Sequence, residues 1–220
     1  ASRNSGIVFQ AGQLAQHAAP AVRKHTIFGA AAAGGDEALP GPVRDTLPID
    51  EHREEIVEAI KRQRVVCIQG ETGCGKSSRV PQFAHYFCRD RDEIKTYGHE
   101  RTIICTQPRR LAALTLAQRV ANEMGESTVG GVVGYKISGD SAFDFRRTRL
   151  LFVTTGYLLQ VLVNDPTQIR RFSHIILDEA HERSVDADLV TLVLKLILQH
   201  KMADFKVVIM SATLQGGIFA

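Results

Sequence analysis

Gly70-Glu71-Thr72-Gly73-Cys74-Gly75-Lys76-Ser77 decides the fold class of this 220-residue chain. The spacing is G-x-x-x-x-G-K-S, a phosphate-binding loop. Its glycines let consecutive backbone N–H groups turn inward around a polyphosphate, Lys76 reaches the β- and γ-phosphates, and the Ser77 hydroxyl serves as a Mg²⁺ ligand. The flanks supply the setting such a loop needs. Arg64-Val65-Val66-Cys67-Ile68-Gln69 is a β-rich apolar run, and Ser77 to Cys88 continues as a helix. About a hundred residues further on, Ile175-Ile176-Leu177 leads into Asp178-Glu179. Two adjacent carboxylates at the end of an apolar strand are where a parallel-sheet NTPase keeps a metal-holding acid and a water-activating acid. The two stretches together imply a nucleoside triphosphate site.

Outward from the loop, short apolar runs alternate with helical segments. Asp50 is the expected N-cap of a helix over Glu51 to Gln63, with Ile56, Val57 and Ile60 on one face. Strands are expected at Thr102–Thr106, Val129–Ile137, Leu150–Val153, Ser173–Leu177 and Lys206–Met210. Helices are expected at Leu111–Met124, Gly156–Val163 and Val185–His200, the last apolar nearly all round and so expected to be well covered. This alternation predicts an α/β fold, a mainly parallel β-sheet with helices on both faces. Residues 1–46 differ. Ala30-Ala31-Ala32-Ala33-Gly34-Gly35 and Pro40-Gly41-Pro42 are low-complexity and rich in breakers. They read as a flexible or partly ordered N-terminal extension, with short apolar pieces near Ile7 to Phe9 and Ile27 to Phe28 as candidate docking points. The catalytic domain is expected over residues 47–220.

Composition excludes more than it selects. With 44% hydrophobic and 23% charged residues, the chain supports one α/β domain with a proper core. A net charge of +3 is too small to argue for nucleic acid, so any such claim rests on local residues. Cys67, Cys74, Cys88 and Cys105 form no C-x-x-C pair, which speaks against a zinc site or a disulfide frame. They read as reduced thiols of a nuclear or cytoplasmic protein. No apolar run approaches the ~18 residues of a membrane span, so no membrane partner is expected.

Five stretches in order (Gly70 to Ser77, Thr106-Gln107-Pro108-Arg109-Arg110, Thr154-Thr155-Gly156, Asp178-Glu179-Ala180-His181, and Ser211-Ala212-Thr213) make residues 47–214 resemble the first RecA-type domain of a DEAH-box RNA helicase. The run on to Glu182-Arg183-Ser184 strengthens the likeness. The resemblance implies that ATP is held by Gly70, Glu71, Thr72, Gly73, Cys74, Gly75, Lys76, Ser77 and Ser78, with Arg119 stacking on the base. It further implies that Asp178 holds Mg²⁺ through water beside Ser77, and that Glu179 orients and deprotonates the attacking water. His181 would join Lys76 and Glu179 in the catalytic group, linking the γ-phosphate site to the rest of the machine. Ser211 and Thr213 would couple hydrolysis to strand separation, since hydroxyls exchange hydrogen-bond partners cheaply.

For RNA, Arg109 and Arg110 open a helix after a strand, where guanidinium groups and free helix N–H groups meet backbone phosphates. Thr154 and Thr155 occupy a similar strand-to-helix junction and resemble the family's backbone-binding threonines. Nothing offers base-edge readout, so binding to single-stranded or structured RNA is expected to be sequence-tolerant and salt-sensitive. The chain departs from the family pattern in four places. No adenine-reading glutamine motif precedes the loop, so other NTPs are admitted. Ser78-Arg79 stands where Thr-Gln is commoner, the arginine usual after Ile137 is missing, and Gln160 replaces a common arginine. A second RecA-type domain with arginine fingers is expected in cis beyond Ala220, and a protein cofactor is a further possible partner. The competing expectations are a helicase acting on DNA and a nucleotide-gated scaffold. The latter sits badly with the presence of Lys76, Ser77, Asp178 and Glu179.

Overall fold

A strand buried on both faces is mostly apolar, and Phe172–Leu177 is buried at all six positions, Ser173 and His174 being its two polar residues. The computed structural model describes residues 8–11, 24–26, 46–88, 100–200 and 204–212. Six parallel strands form the centre of its sheet: β3 (Val65–Gln69), β4 (Thr102–Gln107), β5 (Val133–Ile137), β7 (Leu150–Thr154), β8 (Phe172–Leu177) and β9 (Lys206–Ser211). Three short antiparallel strands flank them: β1 (Val8–Ala11), β2 (Lys24–Thr26) and β6 (Asp140–Ala142). The order across the sheet is β2-β1-β3-β9-β8-β4-β7-β5-β6. The mainly parallel α/β expectation therefore holds.

Period-two alternation divides the core cleanly. Val66, Ile68, Ile103, Cys105, Phe152, Ile176 and Val208 point to one face. There they meet α1 (Arg53–Arg62), α2 (Lys76–Phe83) and α3 (Arg110–Glu123) through Ile56, Ile60, Val80, Phe83, Ala117 and Val120. Their neighbours Cys67, Ile104, Leu151, Val153, Ile175 and Val207 point to the other face. These pack on α4 (Thr155–Asn164) and α5 (Val185–Gln199) through Leu158, Leu162, Val190 and Leu194. Each large side chain so buried contributes about 1.5–3 kcal/mol relative to exposure.

Several local expectations need correction. Asp50 is not the N-cap of α1, a place His52 takes; it lies inside a 3-10 turn, Pro48–His52, that precedes α1. Its carboxylate instead accepts the Leu47 N–H at 2.8 Å and pairs with Arg79 at 3.2 Å. Arg79 is fully buried and also donates to Glu123 at 2.5 Å, a pairing its buried charge demands. The strand expected from Val129 starts only at Val133, and β6 follows through a two-residue turn in which Gly139 takes φ of 80°. α5 is not covered all round. Val185, Leu189, Leu192 and Leu196 lie on its outer side and are 42–75% exposed, because the helix packs on the sheet with one face only. The low-complexity stretches Ala30 to Gly35 and Pro40 to Pro42, and Thr213, lie outside the described residues. All four cysteines are free, and burial pushes the Cys67 and Cys88 thiols up to about 11 and about 12. Among the described residues no helix is long and apolar enough to cross a membrane.

Candidate nucleotide site and nucleic-acid interface

Parallel strands deliver their C-terminal ends to one edge of the sheet, and that is where the chemistry-bearing residues meet. β3 runs into the glycine loop, whose Gly75 takes φ of 100°, a left-handed conformation that side chains resist. A Cβ there would also lie 2.7 Å from Leu47 Cδ1, so the loop closes against the segment ahead of α1. The Ile49 N–H donates to the Cys74 carbonyl at 3.1 Å and pins the same contact. Lys76, the first residue of α2, is buried. Its Nζ donates to the Gly70 carbonyl at 2.6 Å and the Glu71 carbonyl at 2.9 Å, with Cys74 Sγ at 3.7 Å. The ammonium thus lies within the mouth of the loop. Ser78 turns back on the loop, its hydroxyl donating to the Gly75 carbonyl at 3.3 Å.

β8 delivers the acids. Asp178 is 5% exposed and accepts hydrogen bonds from the Gln107 amide (2.7 Å) and the Glu179 N–H (2.9 Å), with the Ser77 hydroxyl near enough to favour its charged form. Burial pushes its carboxyl above the usual carboxylate range, against the pull of these donors and of Lys76. A buried carboxylate with that residual penalty gains from a cation. An Asp carboxylate beside a Ser hydroxyl is a hard oxygen pair of the kind Mg²⁺ uses while keeping its waters and taking substrate phosphates. The residues therefore fit Mg²⁺. Among the described residues no cluster of three His, Cys, Asp or Glu side chains forms a closed cage for another metal.

Glu179 alone among the described non-glycine residues has a positive φ, 52°. Its carboxyl is raised by burial and by the Asp178 charge, against His181 and Lys76. That moves it toward the range where a carboxylate accepts a proton near neutral pH. His181 Nδ1 lies 3.4 Å from Glu179 Oε2 and 3.4 Å from the Ala212 N–H. One nitrogen thus has two alternative partners. Unprotonated it accepts from Ala212, and protonated it donates to Glu179.

The end of β9 ties the two halves together. The Ser211 carbonyl accepts the Gly70 N–H at 3.2 Å, and the Met210 carbonyl accepts the Ala180 N–H at 3.0 Å. Ser211 is buried where the loop and the acid segment converge. Lys76, Ser77, Asp178, Glu179, His181 and Ser211 therefore form one cluster. Arg119 stands apart: its guanidinium, half exposed on α3, donates to Glu123 at 2.9 Å. It reaches the phosphate-loop helix only through Glu123, which also holds Arg79 and Gln82.

Of the nucleic-acid candidates, Arg109 and Arg110 are exposed at the start of α3, and Arg109 donates to Glu182 at 3.1 Å. Thr154 is the N-cap of α4, its hydroxyl accepting the Tyr157 N–H at 3.4 Å. Thr155 is buried and donates to the Gln107 carbonyl at 3.3 Å. Gln107, read from the sequence only as part of the arginine motif, thus joins Thr155 to Asp178. Its place as the last residue of β4 was the one available signal.

Lys76→Ala removes the cation in the loop mouth. ATP affinity is expected to fall more than about tenfold, ~1.4 kcal/mol. Calorimetry on the folded variant checks this, and an unchanged affinity would detach the loop from the nucleotide.

Comparison with known proteins supplies relatives for the chain. A family model described as DEAD/DEAH box helicase matches residues 50–218. The ATP-dependent RNA helicase DHX29 of Mus musculus is 44% identical over 181 residues, 80% of this chain and 13% of that protein. The human protein of the same name matches at 44% over the same span. The DExH-box ATP-dependent RNA helicase DExH1 of Arabidopsis thaliana is 39% identical over 178 residues, 80% of this chain and 17% of that protein. The chain thus spans less than one fifth of these relatives' length.

Proposed function

The chain belongs to the DEAD/DEAH box helicase family, and from that premise we propose that it is the ATP-binding and ATP-hydrolysing domain of an ATP-dependent RNA helicase. Its nucleotide is Mg·ATP, its polymer is RNA held by the backbone, and its product is a loosened RNA or RNA–protein structure. Ser77 and Asp178 would hold Mg²⁺, which would supply the positive charge that offsets the triphosphate. Lys76 exchanges its carbonyl contacts with Gly70 and Glu71 for the phosphates. Glu179 orients the attacking water and takes its proton, while the loop N–H groups fix the phosphates in line.

The observation that carries this reading is an unbroken hydrogen-bond route. The Thr155 hydroxyl holds the Gln107 carbonyl, and the Gln107 amide holds Asp178, beside which Ser77 stands. A polymer seated at Thr154 and Arg109 shifts the end of β4, and with it the acid that faces the metal. On the other side, His181 changes partner between Glu179 and Ala212, passing the state of the γ-phosphate to the end of β9.

Arg109→Ala tests the RNA assignment. Its present partner Glu182 forms an exposed pair worth about 0–1 kcal/mol, so the guanidinium is easily given up to a phosphate. The variant is expected to bind unrelated RNA sequences more weakly by one common factor. The plot of log affinity against log salt should become shallower by about one unit. A loss confined to certain sequences would point to base readout instead. An unaltered slope would remove Arg109 from the interface.

A further inference from the structure

At the opposite end of the strands from the nucleotide site lies a groove of about 630 Å³. Thr102 and Phe172, the first residues of β4 and β8, line it together with Leu151 of β7. Asp178, Gln107 and Thr154 follow or close the same strands, roughly 10–20 Å further along at ~3.3 Å per residue. The groove touches the RNA assignment at Tyr157, whose N–H donates to the Thr154 hydroxyl, and its other lining residues have no part in the nucleotide or RNA assignment.

The groove has the makings of a recognition site. Its size falls within the ~300–1,000 Å³ range of clefts that take a ligand or an anchoring side chain. Phe143 and Phe145 form its outer lip, edge to face with centroids 4.8 Å apart, and Phe145 is 70% exposed. Tyr157 stands on the wall with its phenol half-buried, and burial raises the hydroxyl above its ordinary value. The charge around it is lopsided. Four basic residues, Lys136, Arg146, Arg149 and Arg171, line it or contact its lip, against two acids, Glu100 and Asp144. Both acids are already engaged: Glu100 pairs with Arg149, and Asp144 accepts the Arg146 N–H at 2.7 Å. Arg146 and Arg171 form no ion pair among the described residues, although the Arg171 charge acts on the exposed Asp165 carboxyl. An apolar floor with more cations than acids at its rim asks for an occupant that is both apolar and acidic.

From this we infer that the groove is a docking site for an acidic peptide segment of a protein partner, anchored by a leucine or phenylalanine side chain. Nucleic acid fits less well. Lys136 already lies over the Phe143 ring at 5.6 Å and Arg171 over the Phe145 ring at 5.4 Å. A stacking base would have to displace cation–ring contacts of about 0.5–1 kcal/mol each. Its phosphates would also pass the carboxylates of Glu100 and Asp144. A second copy of the chain fits no better, because a two-fold contact would set this basic rim against itself. An acidic peptide keeps the cations where they are, places its carboxylates between Arg146 and Arg171, and sends its anchor onto the aromatic floor.

The test uses the 220-residue chain and a fluorescein-labelled peptide of Asp, Glu, Leu and Phe, read by anisotropy. A second peptide with every acid replaced by Lys serves as control. Saturable binding of the acidic peptide alone is expected. It should weaken about tenfold in the Arg146→Glu, Arg171→Glu double variant and about fivefold in Phe145→Ala. Far-UV circular dichroism and ATP affinity should stay unchanged, because neither substitution touches the nucleotide site. If the charge-reversed protein fails to fold, Arg171→Gln and Phe145→Ala carry the comparison. The inference falls on any of three results: no saturable binding, equal affinity in the folded variants, or single-stranded RNA competing with the peptide and lost with it in the same variants. The last would make the groove part of the nucleic-acid track. Failure of the Arg109 test leaves this one standing, because the two sites share no residue.

Discussion

Glu179→Gln, placed in the whole protein, is expected to keep Mg·ATP bound and to lower turnover by about 10²–10⁴-fold, the range a positioned general base contributes. The amide preserves the size of the side chain and loses the capacity to take a proton. Asp178, with its bond from Gln107 and Ser77 beside it, is untouched, so the half of the site proposed to face the metal stays intact. Asp178→Asn is expected to behave differently, weakening Mg²⁺-dependent binding as well, because the charge that meets the cation is gone. Single-turnover hydrolysis alongside equilibrium binding separates the two. Wild-type turnover in Glu179→Gln would leave the water without its proposed base. RNA binding gated by ATP with no turnover even in wild type would favour a nucleotide-driven scaffold.

The isolated chain is expected to hydrolyse ATP about 10³–10⁵-fold more slowly than the whole protein, with no acceleration by single-stranded RNA. Phosphoryl transfer spreads negative charge over the γ-phosphoryl oxygens, and arginines that reach them contribute that much in related phosphate-loop enzymes. Beside the acids this chain brings Lys76 and His181. Arg109 and Arg119 are engaged with Glu182 and Glu123. The relatives carry several times more chain than is present here. RNA can accelerate turnover only by favouring a closed arrangement of two bodies over an open one. Steady-state ATPase with and without RNA decides the matter, and RNA-stimulated turnover by the monomeric chain would mean that everything needed for closure lies within these residues.

The loop and the acids were legible because their chemistry is local: a few consecutive residues carry the whole signal. The parallel α/β class followed for a similar reason, since Ile175 to Leu177 and Val207 to Met210 have the unbroken apolar character of strands covered on both sides. What stayed hidden depends on distant partners. Nothing near Gln107 announces that its amide meets Asp178, seventy-one positions on. Asp50 looks like a helix cap until Arg79, twenty-nine residues later, claims it as a counter-ion for a buried guanidinium. The apolar circumference of α5 suggested complete coverage, yet a helix on the outside of a single sheet has only one neighbour layer. Val190 and Leu194 are inside while Leu192 and Leu196 face out. β6 is too short to show a period of its own, and its existence depends on the turn at Gly139.

The left-handed backbone at Glu179 bears on how this protein can be improved. An L-residue held there gives up about 1–2 kcal/mol relative to one at ease. That is a sizeable part of the ~5–15 kcal/mol separating most folded domains from their unfolded chains. Glycine or asparagine would relieve the cost at once. The most durable sequence for this backbone is therefore not the one in hand: selection for thermal robustness alone would erode position 179 early and leave a well-folded protein without the proposed base.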